Sequence, residues 1–172
     1  QMLMQALDMT HPNFDLEKIE RCLLSIEDMK SLNQIAITYS ETGERRFAIR
    51  IYEQLLRYTK RRLFNNEALF SVLPMLRYNY SRLLGRERRY EECIEIAQYG
   101  YDLSLKYDKA RALGGLLLNI GCSLQKLGKD EEAKKKLMES YYAFVTVKKF
   151  NSAQKVKDYM KEVFEIEFKG DI

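Results

Sequence analysis

The side chains able to do chemistry here are a single histidine, three cysteines and a set of asparagines placed inside otherwise apolar helices. His11 is the only imidazole, so a histidine-based acid–base or triad mechanism has to run through it. It stands next to Pro12 in "THPN", a segment with the composition of a turn. Cys22, Cys93 and Cys122 are odd in number and far apart, which fits reduced thiols in a cytoplasm and not a disulfide framework. With one histidine and scattered cysteines there is no ligand set at zinc spacing. The expectation is therefore no enzyme, no metal and no cofactor.

Asn33, Asn79 and Asn119 are the sharper signal. Asparagine is a poor interior helix former unless its amide is used. An amide carries both a donor and an acceptor, so it can pair with the backbone of an extended chain whatever that chain's side chains are. Arg82, Gln125 and Lys126 follow one or two turns further on and could hold a carboxylate or carbonyl groups. The competing reading is that these amides only face water or satisfy nearby backbone.

The elements that would position these residues are helices. With 46% hydrophobic residues, 2 prolines and 8 glycines in 172 residues, the chain has enough apolar mass for one core but too little turn chemistry for a sandwich or barrel. A formal charge of +4 from 29 basic and 25 acidic residues does not by itself mark a nucleic-acid binder. No apolar run reaches the length of a membrane span, and "QMLMQALDM" lacks the pattern of a signal peptide.

Apolar residues recur at helical spacing, for example Leu16, Ile19, Leu23 and Ile26, then Ala48, Ile51, Tyr52 and Leu55, then Leu113, Leu116, Leu117, Ile120 and Leu124. Together with capping and breaking signals they predict about nine helices, near 2–9, 14–25, 28–42, 44–62, 66–84, 88–106, 109–127, 130–147 and 151–167. Gly43, Gly85 and Gly128 recur at intervals of 42 and 43 residues, each expected to close one amphipathic helix before the next. A unit of helix, tight turn and helix cannot bury its own apolar face, so the units must stack. The expected fold is all-α: an α-solenoid with repeats near 28–62, 66–106 and 109–147, flanking helices over 2–25 and a capping helix over 151–167.

"LNQIAITYSETGERRFAIRIYEQLL" resembles a tetratricopeptide repeat, with Ala36 and Tyr39 in the first helix, Gly43 at the turn, and Ala48 and Tyr52 in the second. "LLLNIGCSLQKLGKDEEAKKKL" carries the same pattern through Gly121, Leu124, Gly128, Ala133 and Leu137. "LRYNYSRLLGRERRYEECIEIA" keeps Gly85, Tyr90 and Ala97 but places Cys93 in the alanine slot. The ordinary repeat is about 34 residues, so the longer period here is a departure. From about Asp28 onward the chain is similar to the sensor region of helix-turn-helix (XRE-type) transcription regulators of Firmicutes, a group that includes the RRNPP peptide-pheromone receptors.

The resemblance implies a right-handed tetratricopeptide superhelix that dimerises and holds a short peptide on its concave face, where asparagines of the first helices do the holding. It points to Asn33, Asn79 and Asn119, and with Arg82, Gln125 and Lys126 further along the same helices these make up the expected peptide-binding set. DNA binding would belong to a helix-turn-helix upstream of Gln1, since none is evident within the chain. The alternative is a tetratricopeptide scaffold that binds another protein and senses nothing.

Overall fold

The structure, a computed structural model, describes residues 2–62 and 68–166 and contains eight α-helices and no strand among them. These are α1 (Met2–Thr10), α2 (Ile26–Glu41), α3 (Arg45–Arg62), α4 (Leu69–Arg86), α5 (Tyr90–Lys106), α6 (Leu113–Lys126), α7 (Asp130–Thr146) and α8 (Phe150–Phe164). Each of α2–α3, α4–α5 and α6–α7 packs as a helical hairpin, and α8 closes on α7. The first helices α2, α4 and α6 also touch in succession. They build one wall of a tetratricopeptide-like solenoid, and α3, α5 and α7 build the other.

A repeated packing rule holds the hairpins together. The fourth residues of α3, α5, α7 and α8 are Ala48, Cys93, Ala133 and Ala153, all 1% exposed or less. Small side chains there let helix backbones approach closely, and larger neighbours such as Tyr52, Leu137 and Met160 fill the remaining space. Cys93 therefore does occupy the alanine slot. Gly114 and Gly115 serve the same purpose on α6: a methyl at Gly114 would lie 2.7 Å from the Phe144 ring, and one at Gly115 would run into Tyr78.

Two expectations are corrected. The stretch 14–25 is not a helix; within it only Ile19–Arg21 forms a short 3₁₀ turn. Side chains of α3 capture its backbone instead. The Gln54 amide accepts from the Ile19 N–H at 3.0 Å and donates to the Leu16 carbonyl at 2.8 Å, while the Tyr58 hydroxyl accepts from the Leu24 N–H at 2.9 Å. Leu16, Ile19 and Leu24 are buried by this strap, but Leu23, expected on the same stripe, is 72% exposed. Helix α2 then begins at a capping box, in which Ser25 and Asp28 satisfy each other's backbone amides.

The second correction concerns Gly85. It lies within α4, and the left-handed residue that turns the chain into α5 is Arg88 at φ 60°. Gly43 (φ 96°) and Gly128 (φ 74°) do occupy the left-handed positions of their turns. The junction between the helices expected over 44–62 and 66–84, the first two residues of the latter and the last residue of the one expected over 151–167 lie outside the described residues.

Candidate functional site

The three asparagines stand on α2, α4 and α6, but they do not act alone. Asn79 Nδ2 donates to Asn33 Oδ1 at 3.1 Å, and the Tyr52 hydroxyl donates to the same oxygen at 3.2 Å. Asn33 and Asn79 thus form a bridge across the α2–α4 seam. At the next seam, Asn119 Nδ2 donates to the Tyr78 carbonyl at 3.0 Å and to Ser81 Oγ at 2.8 Å, tying α6 to α4. Among the described residues each amide is engaged through one end only, so the Asn33 amino group and the Oδ1 atoms of Asn79 and Asn119 keep spare valences, and none of them is a buried atom left without a partner.

This arrangement does two things. The anchored half fixes the rotamer, so the open half is held at a set position instead of sampling several. One spare donor followed by two spare acceptors along stacked first helices offers both kinds of group that an extended backbone presents.

Arg82, Asn119 and Lys126 meet in one recess of about 220 Å³ at the α4–α6 seam, together with Arg86, Tyr90 and Cys122. Its lining carries three cationic side chains and no carboxylate. Arg82 leans over the Tyr78 ring at 5.8 Å. An anionic group entering the recess meets positive charge that no lining residue neutralises. Asn33 and Asn79 lie outside it, one seam earlier, and Gln125 is directed elsewhere: its Oε1 accepts from the Tyr159 hydroxyl of α8 at 3.2 Å.

The remaining candidates for chemistry are placed in structural roles. His11 Nε2 meets Asp28 Oδ2 at 3.1 Å, and the same carboxylate accepts from the Ser25 amide and hydroxyl at 2.8 Å each. Burial pulls the Asp28 carboxyl upward, but these hydrogen bonds from Ser25 and His11 outweigh it and hold it below the usual carboxylate value. Burial raises the Cys93 thiol and pushes Cys122 up to about 11, so both stay protonated near neutral pH and neither is an activated nucleophile. Among the described residues no group of His, Cys, Asp and Glu could hold a metal ion, and no helix is long and apolar enough to cross a membrane. Several basic side chains are paired: Arg61 with Glu20, Arg89 with Glu92, Lys134 with Glu131 and Lys136 with Glu139.

Sequence reasoning missed the partners that orient these amides, Tyr52 and Ser81. It also missed Arg77, which lines a larger cleft on the other wall of the solenoid. Ser81 carried a usable signal: a small polar residue inside an apolar helix, two positions after Asn79.

Stacked helical hairpins presenting fixed, half-engaged amides and a cationic recess define a helical-repeat binding domain. The comparisons sharpen this class. The model of the RNPP family C-terminal domain matches residues 13–164, and the chain belongs to that family. Among solved structures, it is similar to Bacillus thuringiensis PlcR in complex with the peptide PapR7 and DNA, with 22% identity over 90% of this chain and 51% of that one and a TM-score of 0.72. The apo form of PlcR gives 22% identity over 91% and 62% of the two chains, with a TM-score of 0.67. Aspartyl phosphate phosphatase F from Bacillus subtilis shares the fold at 15% identity, over 87% of this chain and 43% of that one, with a TM-score of 0.61. The chain thus spans 51% and 62% of the two PlcR chains. None of the curated proteins matches it in sequence.

Proposed function

We propose that this chain is the peptide-sensing and dimerising part of a cytoplasmic transcription regulator, with DNA bound by a helix-turn-helix domain upstream of it. The first-helix face takes a short extended peptide. The spare halves of Asn33, Asn79 and Asn119 pair with its backbone, and the recess of Arg82, Arg86 and Lys126 takes an acidic side chain or the terminal carboxylate. Gln125, tied to Tyr159, contributes by fixing α8 beside the site.

The single observation that carries this reading is the row of asparagines, each locked through one end of its amide and open at the other. Family membership and the likeness to PlcR, whose complex contains a peptide and DNA, support it. Signalling follows by population shift: a peptide that binds one superhelical pitch better than another changes how two solenoids pair, and so how attached DNA-binding domains are spaced.

The test is mass spectrometry of the natively purified protein to recover a bound peptide, followed by calorimetric titration of that peptide. Lys126→Glu and Arg82→Ala are expected to weaken binding by about tenfold each, the loss of one charge-assisted contact, while leaving the melting temperature nearly unchanged. Failure to recover a peptide, combined with copurification of one stoichiometric protein partner, would replace sensing by scaffolding.

A further inference from the structure

A second cleft lies away from the first-helix face. It measures about 680 Å³ and opens between α3 and α5 over the flank of α4, with Leu56, Leu73 and Ile94 among its walls. That volume is in the range of small-molecule sites.

One residue in it is unexplained by the fold. Arg77 rises from α4, with its Cβ packed so closely on α5 that a methyl at Gly100 would lie 2.9 Å from it. Its guanidinium lies under the Tyr99 ring at 4.0 Å, and its Nε is buried with no hydrogen-bond partner. Among the described residues it forms no ion pair. The charged neighbours in the cleft are otherwise occupied or outward: Arg57 bonds to Glu20 at 2.6 Å, Asp102 accepts from Gln98 at 2.8 Å, Lys60 is exposed, and Glu95 is exposed and acts on Arg77 only at a distance. Burial lowers the Arg77 guanidinium to about 10, against the weaker opposing pull of Tyr99 and Glu95.

A partly desolvated cation with an idle donor is costly to keep, and removing such a cost is how a ligand gains affinity. From the cleft's apolar walls and its unpaired guanidinium, we infer that it binds a small carboxylic acid with an apolar body, the carboxylate paired with Arg77 and the body against Leu56, Leu73 and Ile94. Such binding requires the Tyr99 ring, 45% exposed, to turn outward and uncover the Nε and Nη donors as a fork for a bidentate carboxylate. Phosphate fits poorly, because it would bring more charge and no apolar body to walls that offer mostly carbon. The inference does not depend on the first-helix face binding a peptide.

Octanoate is the probe, with 1-octanol as the uncharged control, titrated into the 172-residue chain labelled with ¹⁵N and followed through the arginine Nε–H resonances. Saturable octanoate binding is expected, with the Arg77 Nε–H signal the one that moves most, and 1-octanol weaker by about tenfold. Arg77→Met is expected to abolish the preference for acid over alcohol, and Arg77→Lys to retain part of it. Should Arg77→Met not fold, the wild-type resonances decide alone. The inference is overturned if octanoate does not saturate, if the alcohol binds equally well, or if the Arg77 signal stays fixed while others shift.

Discussion

Replacing Asn119 by alanine tests whether the seam between α4 and α6 is held by side chains or only by apolar contact. Asn119 Nδ2 donates to the Tyr78 carbonyl at 3.0 Å and to Ser81 Oγ at 2.8 Å. A net contribution of about 0.5 to 1.5 kcal/mol per hydrogen bond gives about 2 kcal/mol for the pair. For a chain of this size, 1 kcal/mol corresponds to roughly 2 to 4 °C, so the melting temperature is expected to fall by about 4 to 8 °C. Ser81→Ala removes the acceptor of one of these bonds together with its own hydroxyl donor and leaves only the bond from Asn119 to Tyr78, so it too loses two hydrogen bonds and its cost is about as large. Ser81 also donates to the Tyr78 carbonyl at 3.0 Å, which makes the three groups one network. The double variant is then expected to cost less than the sum of the singles, with a coupling of at least about 0.5 kcal/mol. Urea and thermal unfolding followed by circular dichroism supply all the numbers. If Asn119→Ala lies within about 0.5 kcal/mol of the wild type, the amide is not anchored as described, and the argument that its free half is pre-positioned collapses with it.

Further expectations follow from the turns, the helix contacts and the thiols. Arg88 holds a left-handed backbone at φ 60° that costs a residue with a Cβ about 1 to 2 kcal/mol, so Arg88→Gly is expected to raise stability by up to about 1 kcal/mol, read by urea unfolding. Gly115→Ala drives a methyl into the Tyr78 ring and is expected to cost about 1 to 3 kcal/mol, whereas Gly85→Ala, with its nearest neighbour at 3.7 Å, is expected to be neutral or mildly stabilising. The Cys122 thiol is raised by burial to about 11, so folding favours its protonated form. Its contribution is complete below the ordinary thiol value and is lost as pH rises toward 11, so the stability of the wild type should fall over that window more steeply than that of Cys122→Ala. Iodoacetamide labelling at neutral pH should be slow at Cys122 for the same reason.

What could be read in the sequence depended on how far away the deciding partner lies. The alanine slots at Ala48 and Ala133 were legible because a helix's fourth residue and its turn are neighbours in the chain, and Cys93 could be placed in the same slot by register alone. The strap over 14–25 was not. Its apolar spacing suits a helix, and the groups that keep it from closing into one, Gln54 and Tyr58, arrive from 34 to 38 residues further on. Arg88 shows the same limit in a turn. Glycine is the usual occupant of a left-handed closing position, so Gly85 drew the assignment, while the packing of α4 on α5 keeps Gly85 helical and sets the turn three residues later.

The two arginines of α4 show what such reasoning can still recover once a helix is known. At about 100° per residue, Arg82 stands about 60° from Asn79 around the helix axis, which keeps the two on the first-helix face. Arg77 is five positions before Arg82, about 140° away by the same geometry, and this turns it toward α3 and α5. The sequence "RYNYSR" contains both and treats them alike. Helical arithmetic alone therefore separates a cation facing the seam with α6 from one facing the cleft on the other wall. What arithmetic cannot supply is the width of the gap between α3 and α5, because that is set by how successive hairpins stack. That Arg77 forms no ion pair among the described residues, although Glu95 and Asp102 line the same cleft, is a property of the assembled solenoid and of no single repeat.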